Sequence, residues 1–167
     1  MARVAGDDPN QQGLSAAPAV PGFLEPKPIE KFFNRAFGLL VGLGIGPGYM
    51  YLLQVRGRKS GRVYATPVNV LDVEGKRYLV APRGRTQWVR NAEAVGQITL
   101  KKGRSRQTFR LRPIPNGEKP ELLKIYLERF VTAVQRYFPV KAGSPPQAFR
   151  DVAPTYPVFE LQPVGKP

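Results

Sequence analysis

The fold is decided by residues 51–71, which read YLLQVRGRKSGRVYATPVNVL. Two apolar segments, Tyr51–Val55 and Tyr64–Leu71, flank the polar segment Arg56–Arg62, which contains two glycines. Short segments rich in Val, Leu and Tyr that are bounded by glycine are typical of β-strands. The stretch therefore predicts two consecutive strands joined by a loop that carries four positive side chains.

Outward from this unit, short apolar segments continue the pattern. A short helical turn is predicted at Gln87–Ala94 and a long amphipathic helix at Glu118–Phe138, which Pro139 ends. The remaining predicted strands are Arg77–Ala81, Gln97–Lys101, Gln107–Ile114 and Tyr156–Leu161. Six to seven largely antiparallel strands with helices at irregular intervals indicate an α+β, mostly β fold. We expect a barrel with helices packed on it.

The first part of the chain divides into a tail and a helix. Residues 1–26 are rich in Ala, Pro, Gly and Gln and predict a flexible tail, so that residues 27–167 form a single domain. Apolar residues at helical spacing predict an amphipathic helix over Pro28–Leu40 with an aromatic apolar face. This helix either covers one end of the barrel or lies at a membrane surface.

The sequence has no pattern of a signal peptide, and glycines and Pro47 interrupt the apolar stretch Ala36–Val55. A membrane-spanning helix needs about 20 consecutive apolar residues, so this stretch is not expected to span. We expect a cytoplasmic protein. If the helix Pro28–Leu40 lies at a membrane surface, the protein is also expected to make peripheral contact with the inner face of the cell membrane.

The composition restricts the chemistry that the side chains can supply. The chain has no cysteine and no histidine, which excludes disulfides, thiol nucleophiles and the usual zinc sites, and we predict no metal site. The net charge is +14, and Tyr51–Arg112 holds 15 Lys and Arg against 3 Asp and Glu. The partner of this segment is therefore expected to be anionic: a phosphorylated cofactor, an acidic membrane or a nucleic acid. Any redox chemistry would come from a cofactor.

Three segments are candidates for binding an anion. The loop Arg56–Arg62 offers guanidinium forks, a lysine, a hydroxyl and glycines that allow the backbone close to a ligand, although it also suits a solvated hairpin loop. In Ala81–Asn91, Trp88 and Asn91 share one helix face, where they either receive a ring system or serve as a core anchor and a cap. The third segment, Lys101–Arg106, has the pattern of a solvated basic hairpin tip.

Together the first two segments resemble the deazaflavin-dependent nitroreductase family, the split β-barrel proteins that bind coenzyme F420. The match lies between Tyr51 and Leu100 and consists of an ordered set of motifs, with a closing Pro157-Val-Phe-Glu strand after it. The motifs are the loop Gly57–Gly61, the pair Thr66-Pro67, a strand ending in Val80-Ala81, and Trp88-x-x-Asn91.

The resemblance implies a set of site residues. The implied cofactor-binding residues are Arg58, Lys59, Ser60, Gly61, Thr66, Pro67, Val80, Ala81, Pro82, Arg83, Gln87, Trp88 and Asn91. Candidates for a catalytic or substrate-pocket side chain are Asn69, Tyr126, Tyr137 and Tyr156. Two departures from the family leave the substrate open: a short segment between Ala81 and Trp88, and Tyr64 where some members have a basic residue.

The function that the resemblance implies is an F420H2-dependent oxidoreductase. Reduced deazaflavin would pass a hydride to a quinone, an enone or a nitroaromatic compound, and the protein is expected to be a monomer. One alternative is a non-catalytic member of the same fold that binds a lipid or fatty acid, and another is a protein that binds FMN. Nucleic-acid binding is disfavoured because the aromatic side chains do not form a row of stacking platforms.

Overall fold

The computed structural model describes residues 38–165 of the chain. The predicted tail over residues 1–26 lies outside these residues, as does most of the predicted helix Pro28–Leu40. Only the end of that helix is described, as a helical stretch at 38–42. Within 38–165, no helix has the length and apolar character needed to cross a membrane.

Six antiparallel strands form a closed barrel in the order β1-β2-β3-β6-β5-β4, with β1 and β4 pairing to close it. This arrangement confirms the predicted mostly β fold of the split-barrel type. The first hairpin pairs Met50 with Asn69 at one end and Arg56 with Val63 at the other, so the basic loop connects its strands. The strands are β1 Met50–Arg56, β2 Val63–Val73, β3 Lys76–Val80, β4 Gln97–Lys102, β5 Ser105–Pro113 and β6 Val158–Pro163.

Alternate residues of every strand fill the inside of the barrel, as strand geometry requires. Leu53, Leu79 and Phe109 are almost completely buried there. The helix α1, Gln87–Val95, follows β3 and packs Ala92 and Trp88 onto the same interior cluster. The predicted helical turn is therefore a full helix that lies against the barrel and the strand β1.

A second core lies on the outer face of the barrel. There Leu71 of β2 and Tyr78 of β3 pack under the helices α2, Lys119–Arg129, and α3, Val131–Val134. The buried Lys119 amine donates to the carbonyl of Ala153 at 3.3 Å, which ties the start of α2 to the segment before β6.

The prediction of one helix over Glu118–Phe138 is wrong, because the helix is interrupted at Phe130. Phe130 has φ −117° and ψ 26°, outside the helical region, and 3% of its surface is exposed. Its ring packs 5.0 Å from that of Tyr126 and 4.9 Å from that of Tyr49. Val131 and Thr132 follow, and β-branched residues have weak helix propensity. Burial of the Phe130 ring between two aromatic neighbours therefore outweighs the continuation of the helix.

Candidate functional site

The basic loop, residues 56–62, is closed by its own backbone. The Gly57 amide donates to the carbonyl of Arg62 at 2.7 Å, and the Gly61 amide donates to the carbonyl of Gly57 at 2.9 Å. A Cβ at position 57 would lie 2.6 Å from Cε2 of Tyr64 and 2.7 Å from Oγ of Ser60, so any larger residue would displace one or both of these exposed side chains. The loop therefore holds its shape while the side chains of Arg58 and Lys59 stay exposed.

Tyr64 braces this loop from β2. Its hydroxyl lies 3.2 Å from Oγ of Ser60, and the same Oγ accepts a hydrogen bond from the Arg62 amide at 3.3 Å. The tyrosine that departs from the family pattern thus contacts the loop directly. The sequence did not predict this role, because two residues four positions apart across a loop give no sign that their side chains are in contact.

Asn91 connects the basic loop to α1. Its side chain is 1% exposed, and its Oδ1 accepts hydrogen bonds from Nη1 of Arg58 at 2.8 Å and from the Arg58 amide at 3.3 Å. Because Oδ1 is fixed by Arg58, the orientation of the amide is fixed as well. Its Nδ2 is buried and has no hydrogen-bond acceptor within the described part of the chain. Asn91 therefore does not cap a helix; it holds a guanidinium and keeps one buried donor available.

Trp88 lies one helical turn before Asn91 on α1. It is half-buried, its ring centroid is 6.2 Å from that of Phe159, and it contacts the barrel interior. One side of the indole thus acts as the core anchor that the sequence allowed. At the start of the same helix, Oγ1 of Thr86 is buried without a hydrogen-bond partner among residues 38–165, while Gln87 is exposed.

Two chain segments extend the site away from the loop. One is Ala81–Gly84, where the Gly84 amide donates to the carbonyl of Ala81 at 3.0 Å. The other is β2, where Thr66, Pro67 and Asn69 are half-buried. At about 3.3 Å per residue, the path along β2 from Arg62 to Asn69 is roughly 23 Å long. The candidate residues therefore form a long site that runs from the basic loop to Asn69.

The tyrosine candidates gather near the Asn69 end. Burial raises the pKa of Tyr126, and the nearby Asn69 amide opposes the rise. The Tyr156 hydroxyl donates to the carbonyl of Tyr137 at 2.6 Å, and burial raises the pKa of Tyr156 to about 12. Both Tyr126 and Tyr156 are therefore neutral at physiological pH and are engaged inside the fold.

Tyr137 differs from the other two tyrosines because it is half-buried and lies between two cations. The guanidinium carbons of Arg83 and Arg136 lie 5.9 Å and 4.8 Å from its ring centroid. Nη2 of Arg136 donates to the Tyr137 hydroxyl at 2.7 Å. This contact between Arg83 and Tyr137 links the segment after β3 with the segment after α3, and the sequence did not predict it.

The structure thus places the predicted site residues in two groups. Val80 and Ala81 are buried in the fold, and Pro82 and Arg83 are half-buried beside them. The first group surrounds the basic loop and comprises Arg58, Lys59, Ser60, Gly61, Trp88 and Asn91. The second group surrounds the other end and comprises Asn69, Arg83, Tyr126, Tyr137 and Tyr156. Among residues 38–165 there is no group of His, Cys, Asp or Glu side chains that could hold a metal ion.

Comparison with known proteins gives one family and several structures. The family model described as F420H(2)-dependent quinone reductase matches residues 30–140, more than half of the chain. The Agrobacterium tumefaciens protein Atu2129, of unknown function, is 20% identical with a TM-score of 0.53, over 87% of this chain and 59% of that one. This chain thus spans less than two thirds of that protein. The comparison with curated proteins finds no match.

Two further solved structures are similar to this chain over most of its length. An F420-H2 dependent reductase, FDR-A, is 19% identical with a TM-score of 0.46, over 69% of this chain and 95% of that one. HutZ, a heme storage protein from Vibrio cholerae, is 12% identical with a TM-score of 0.48, over 79% of this chain and 88% of that one. Of these three structures, only that of Atu2129 has a TM-score above 0.5, and at 20% identity it bears on the fold alone.

Proposed function

We propose that this chain, which belongs to the F420H(2)-dependent quinone reductase family, is a deazaflavin-dependent oxidoreductase that uses coenzyme F420 and a small-molecule acceptor of the quinone type. In this proposal the basic loop holds the anionic part of the cofactor. The observation that carries this proposal is the Asn91–Arg58 contact. A buried amide holds the guanidinium in place and retains an unused donor, Nδ2, beside the loop.

The donors around the loop fit a phosphate or carboxylate. Arg58 and Lys59 supply exposed charge, Ser60 a hydroxyl, and Asn91 a buried N–H group. Hydrogen bonds from charged donors to such oxygens are about twice as strong as neutral ones. No Asp or Glu occurs between Val55 and Leu71, so no carboxylate close to the basic loop in the sequence competes with the anion.

The rest of the proposed site extends along β2 and α1, away from the basic loop. Trp88 and Gln87 on α1, Thr66 and Pro67 on β2, and the segment from Val80 to Arg83 form the proposed walls beside the cofactor. When bound, the reduced deazaflavin supplies the hydride. The residues at the Asn69 end would hold the ring and exclude water from it, which is the usual contribution of the protein in cofactor enzymes.

Reduction of a quinone to a quinol consumes one hydride and one proton. We assign the proton to Tyr137, because its hydroxyl accepts from Arg136 and so keeps its own O–H group for donation. The Arg83 guanidinium, 5.9 Å from the ring, would stabilise the tyrosinate that forms. Tyr156 donates a hydrogen bond to the carbonyl of Tyr137 and Tyr126 is buried near Asn69, so both act as positioning residues.

The cofactor proposal is tested by titration with oxidised F420, read by quenching of Trp88, the only tryptophan. We expect Arg58→Ala/Lys59→Ala to weaken binding by roughly a hundredfold, because two charge-assisted interactions are lost. The matched control is Arg104→Ala/Arg106→Ala, which removes the same charge from the hairpin β4–β5. Equal losses in the two variants would show that only net charge matters and would overturn the proposed site.

The proton assignment is tested separately by Tyr137→Phe. We expect kcat with menadione to fall by about two orders of magnitude while the Kd for F420 stays unchanged, because general acid catalysis contributes on this scale. Tyr49→Phe is the control, since the Tyr49 ring packs on Phe130 in the outer core. A kcat for Tyr137→Phe equal to that of the control would remove Tyr137 from the reaction.

The remaining parts of the proposal concern the state of the enzyme in the cell. We propose a cytoplasmic monomer whose residues 27–167 act as one domain. The monomer is supported by the loop, α1 and β2, which bring the proposed site residues together within one chain. Sedimentation equilibrium at the concentrations used for kinetics tests this point, and a concentration-independent dimer would contradict it.

A further inference from the structure

Four large apolar side chains stand exposed beside one another at residues 39–45. Leu39, Leu40, Leu43 and Ile45 are 67%, 44%, 62% and 59% exposed. Soluble proteins seldom expose large contiguous apolar patches without a binding role. We call these four residues the apolar tip.

Local hydrogen bonds hold the apolar tip together. The Ile45 amide donates to the carbonyl of Leu40 and the Gly44 amide to that of Val41, both at 3.0 Å. This pair of bonds, with Gly44 at φ +89°, is the Schellman ending of a helix, which brings Leu40 and Ile45 into contact. Leu39 and Leu43 are four residues apart on the same helical stretch and share a face.

The apolar tip lies directly against the basic hairpin, which we define as Lys101, Lys102, Arg104 and Arg106. A Cβ on Gly44 would come within 3.2 Å of the Cα of Gly103, so the two turns touch through their glycines. Nζ of Lys102 also donates to the carbonyl of Pro47 at 2.5 Å. Lys101 borders Gly42, and its cross-strand partner Arg106 lies on the same face.

The charge around this surface has one sign. Residues 38–62 and 97–113 contain no Asp or Glu, and within the described chain none of the four basic side chains forms an ion pair. A second copy of this chain would bring like charges together, which disfavours self-association. Apolar side chains that project beside a cluster of cations are the pattern of a protein that binds the surface of an anionic bilayer.

We propose that the apolar tip and the basic hairpin form a docking surface for anionic lipid bilayers. The apolar side chains enter the boundary between headgroups and acyl chains, while Arg104 and Arg106 contact lipid phosphates. This surface adjoins the proposed cofactor site only at Pro67, where a Cβ on Gly38 would lie 3.6 Å from Cδ of Pro67, and lipid binding can be measured without F420. The proposed contact with the bilayer involves residues 39–45 and a hairpin that the sequence predicted to be only a solvated basic tip.

The test is co-sedimentation of the full chain with vesicles of phosphatidylcholine alone or mixed equally with phosphatidylglycerol. We expect the wild type to sediment only with the mixed vesicles, and high salt to weaken binding. Leu43→Ser/Ile45→Ser and Arg104→Gln/Arg106→Gln should each weaken binding by more than roughly tenfold, given the usual contribution of each cation or buried apolar side chain.

Matched controls are Val95→Ser/Val131→Ser, which removes two other exposed apolar side chains, and Lys141→Gln/Arg150→Gln, which removes two other charges. Both should bind as the wild type does. The proposal is overturned if the wild type stays in the supernatant, or if the test variants bind as the controls do. It is also overturned if Leu43→Ser/Ile45→Ser abolishes a concentration-dependent dimer seen by size-exclusion chromatography, because that assigns the surface to a second copy.

Discussion

Two turns of this protein are nearly alike in composition and differ in how the fold holds them. The basic loop at 56–62 and the hairpin turn at 101–106 each carry four positive side chains and one serine. The first is closed by two backbone hydrogen bonds, and its Arg58 donates two hydrogen bonds to the buried Asn91 side chain. The second contacts the glycine-rich turn at 43–48 and no buried polar side chain among the described residues.

The difference shows that charge alone does not make a binding site for a small anion. An exposed Lys or Arg loses rotamer freedom when it binds, and a fixed guanidinium has already lost it. Of the two turns, only the loop at 56–62 has a fixed guanidinium and an unused buried donor beside it. The hairpin turn has flexible cations beside apolar side chains, an arrangement that suits a broad anionic surface.

The largest expected effect comes from replacing the buried amide of Asn91 with a carboxylate. Asn91→Asp keeps an oxygen acceptor for Arg58 but replaces the donor Nδ2 with a negative charge. We expect the affinity for F420 to fall by roughly a hundredfold, since a donor is lost and a repulsion is added. The pair with Arg58 offsets part of the cost of burying the carboxylate, so the variant should remain folded by circular dichroism.

Gln107→Glu is the matched change at the hairpin turn, where Gln107 pairs with Leu100 and is exposed. It adds the same single negative charge beside four cations. The affinity for F420 should stay within twofold of the wild type. If Gln107→Glu and Asn91→Asp weaken the binding of F420 equally, the distinction that we draw between the two turns is wrong.

A smaller effect is expected from adding one methyl group to each turn. Gly57→Ala places a Cβ 2.6 Å from the Tyr64 ring and 2.7 Å from Oγ of Ser60, so these side chains must move and the contact between them is disturbed. We expect about a tenfold loss of affinity for F420, equivalent to one or two weakened hydrogen bonds. Isothermal titration calorimetry measures this loss.

Gly103→Ala should give the opposite pattern. Its new Cβ would lie 3.8 Å from the nearest atoms, which is ordinary contact, but φ at this position is +57°. A left-handed conformation costs an alanine about 1 kcal/mol, so the free energy of unfolding falls while F420 affinity is unchanged. An F420 affinity that falls in both alanine variants would contradict this comparison.

The sequence predicted the strands and the basic loop because their signals are local. Alternating apolar residues between Tyr51 and Leu71 and the glycines at 57 and 61 need no knowledge of distant contacts. The hydrogen bond from Arg58 to Asn91 joins residues 33 positions apart in the sequence. Composition alone could not distinguish this loop from the hairpin turn. The break at Phe130 has the same origin, because it depends on ring contacts with Tyr49, far away in the sequence.

The smallest expected effect comes from the brace at Tyr64. Tyr64→Phe keeps the ring and removes the hydroxyl that lies 3.2 Å from Oγ of Ser60. Ser60 still accepts from the Arg62 amide, so the loop loses one of its contacts and remains closed. We expect the affinity for F420 to fall two- to threefold, which corresponds to about half of an ordinary hydrogen bond, with no change in Tm beyond about 2 °C.

The direction of this last change also identifies which hydroxyl donates. If Tyr64 donates to Ser60, the Ser60 proton already faces the anion, and Tyr64→Phe weakens binding by loosening the loop. If Ser60 donates to Tyr64, the variant releases the Ser60 proton for the anion and binding strengthens. Tyr49→Phe, at a ring that packs on Phe130 and is 41% exposed, provides the baseline for loss of a tyrosine hydroxyl. An affinity that rises above this baseline would show that Tyr64 competes with the cofactor for Ser60 and does not brace the loop for it.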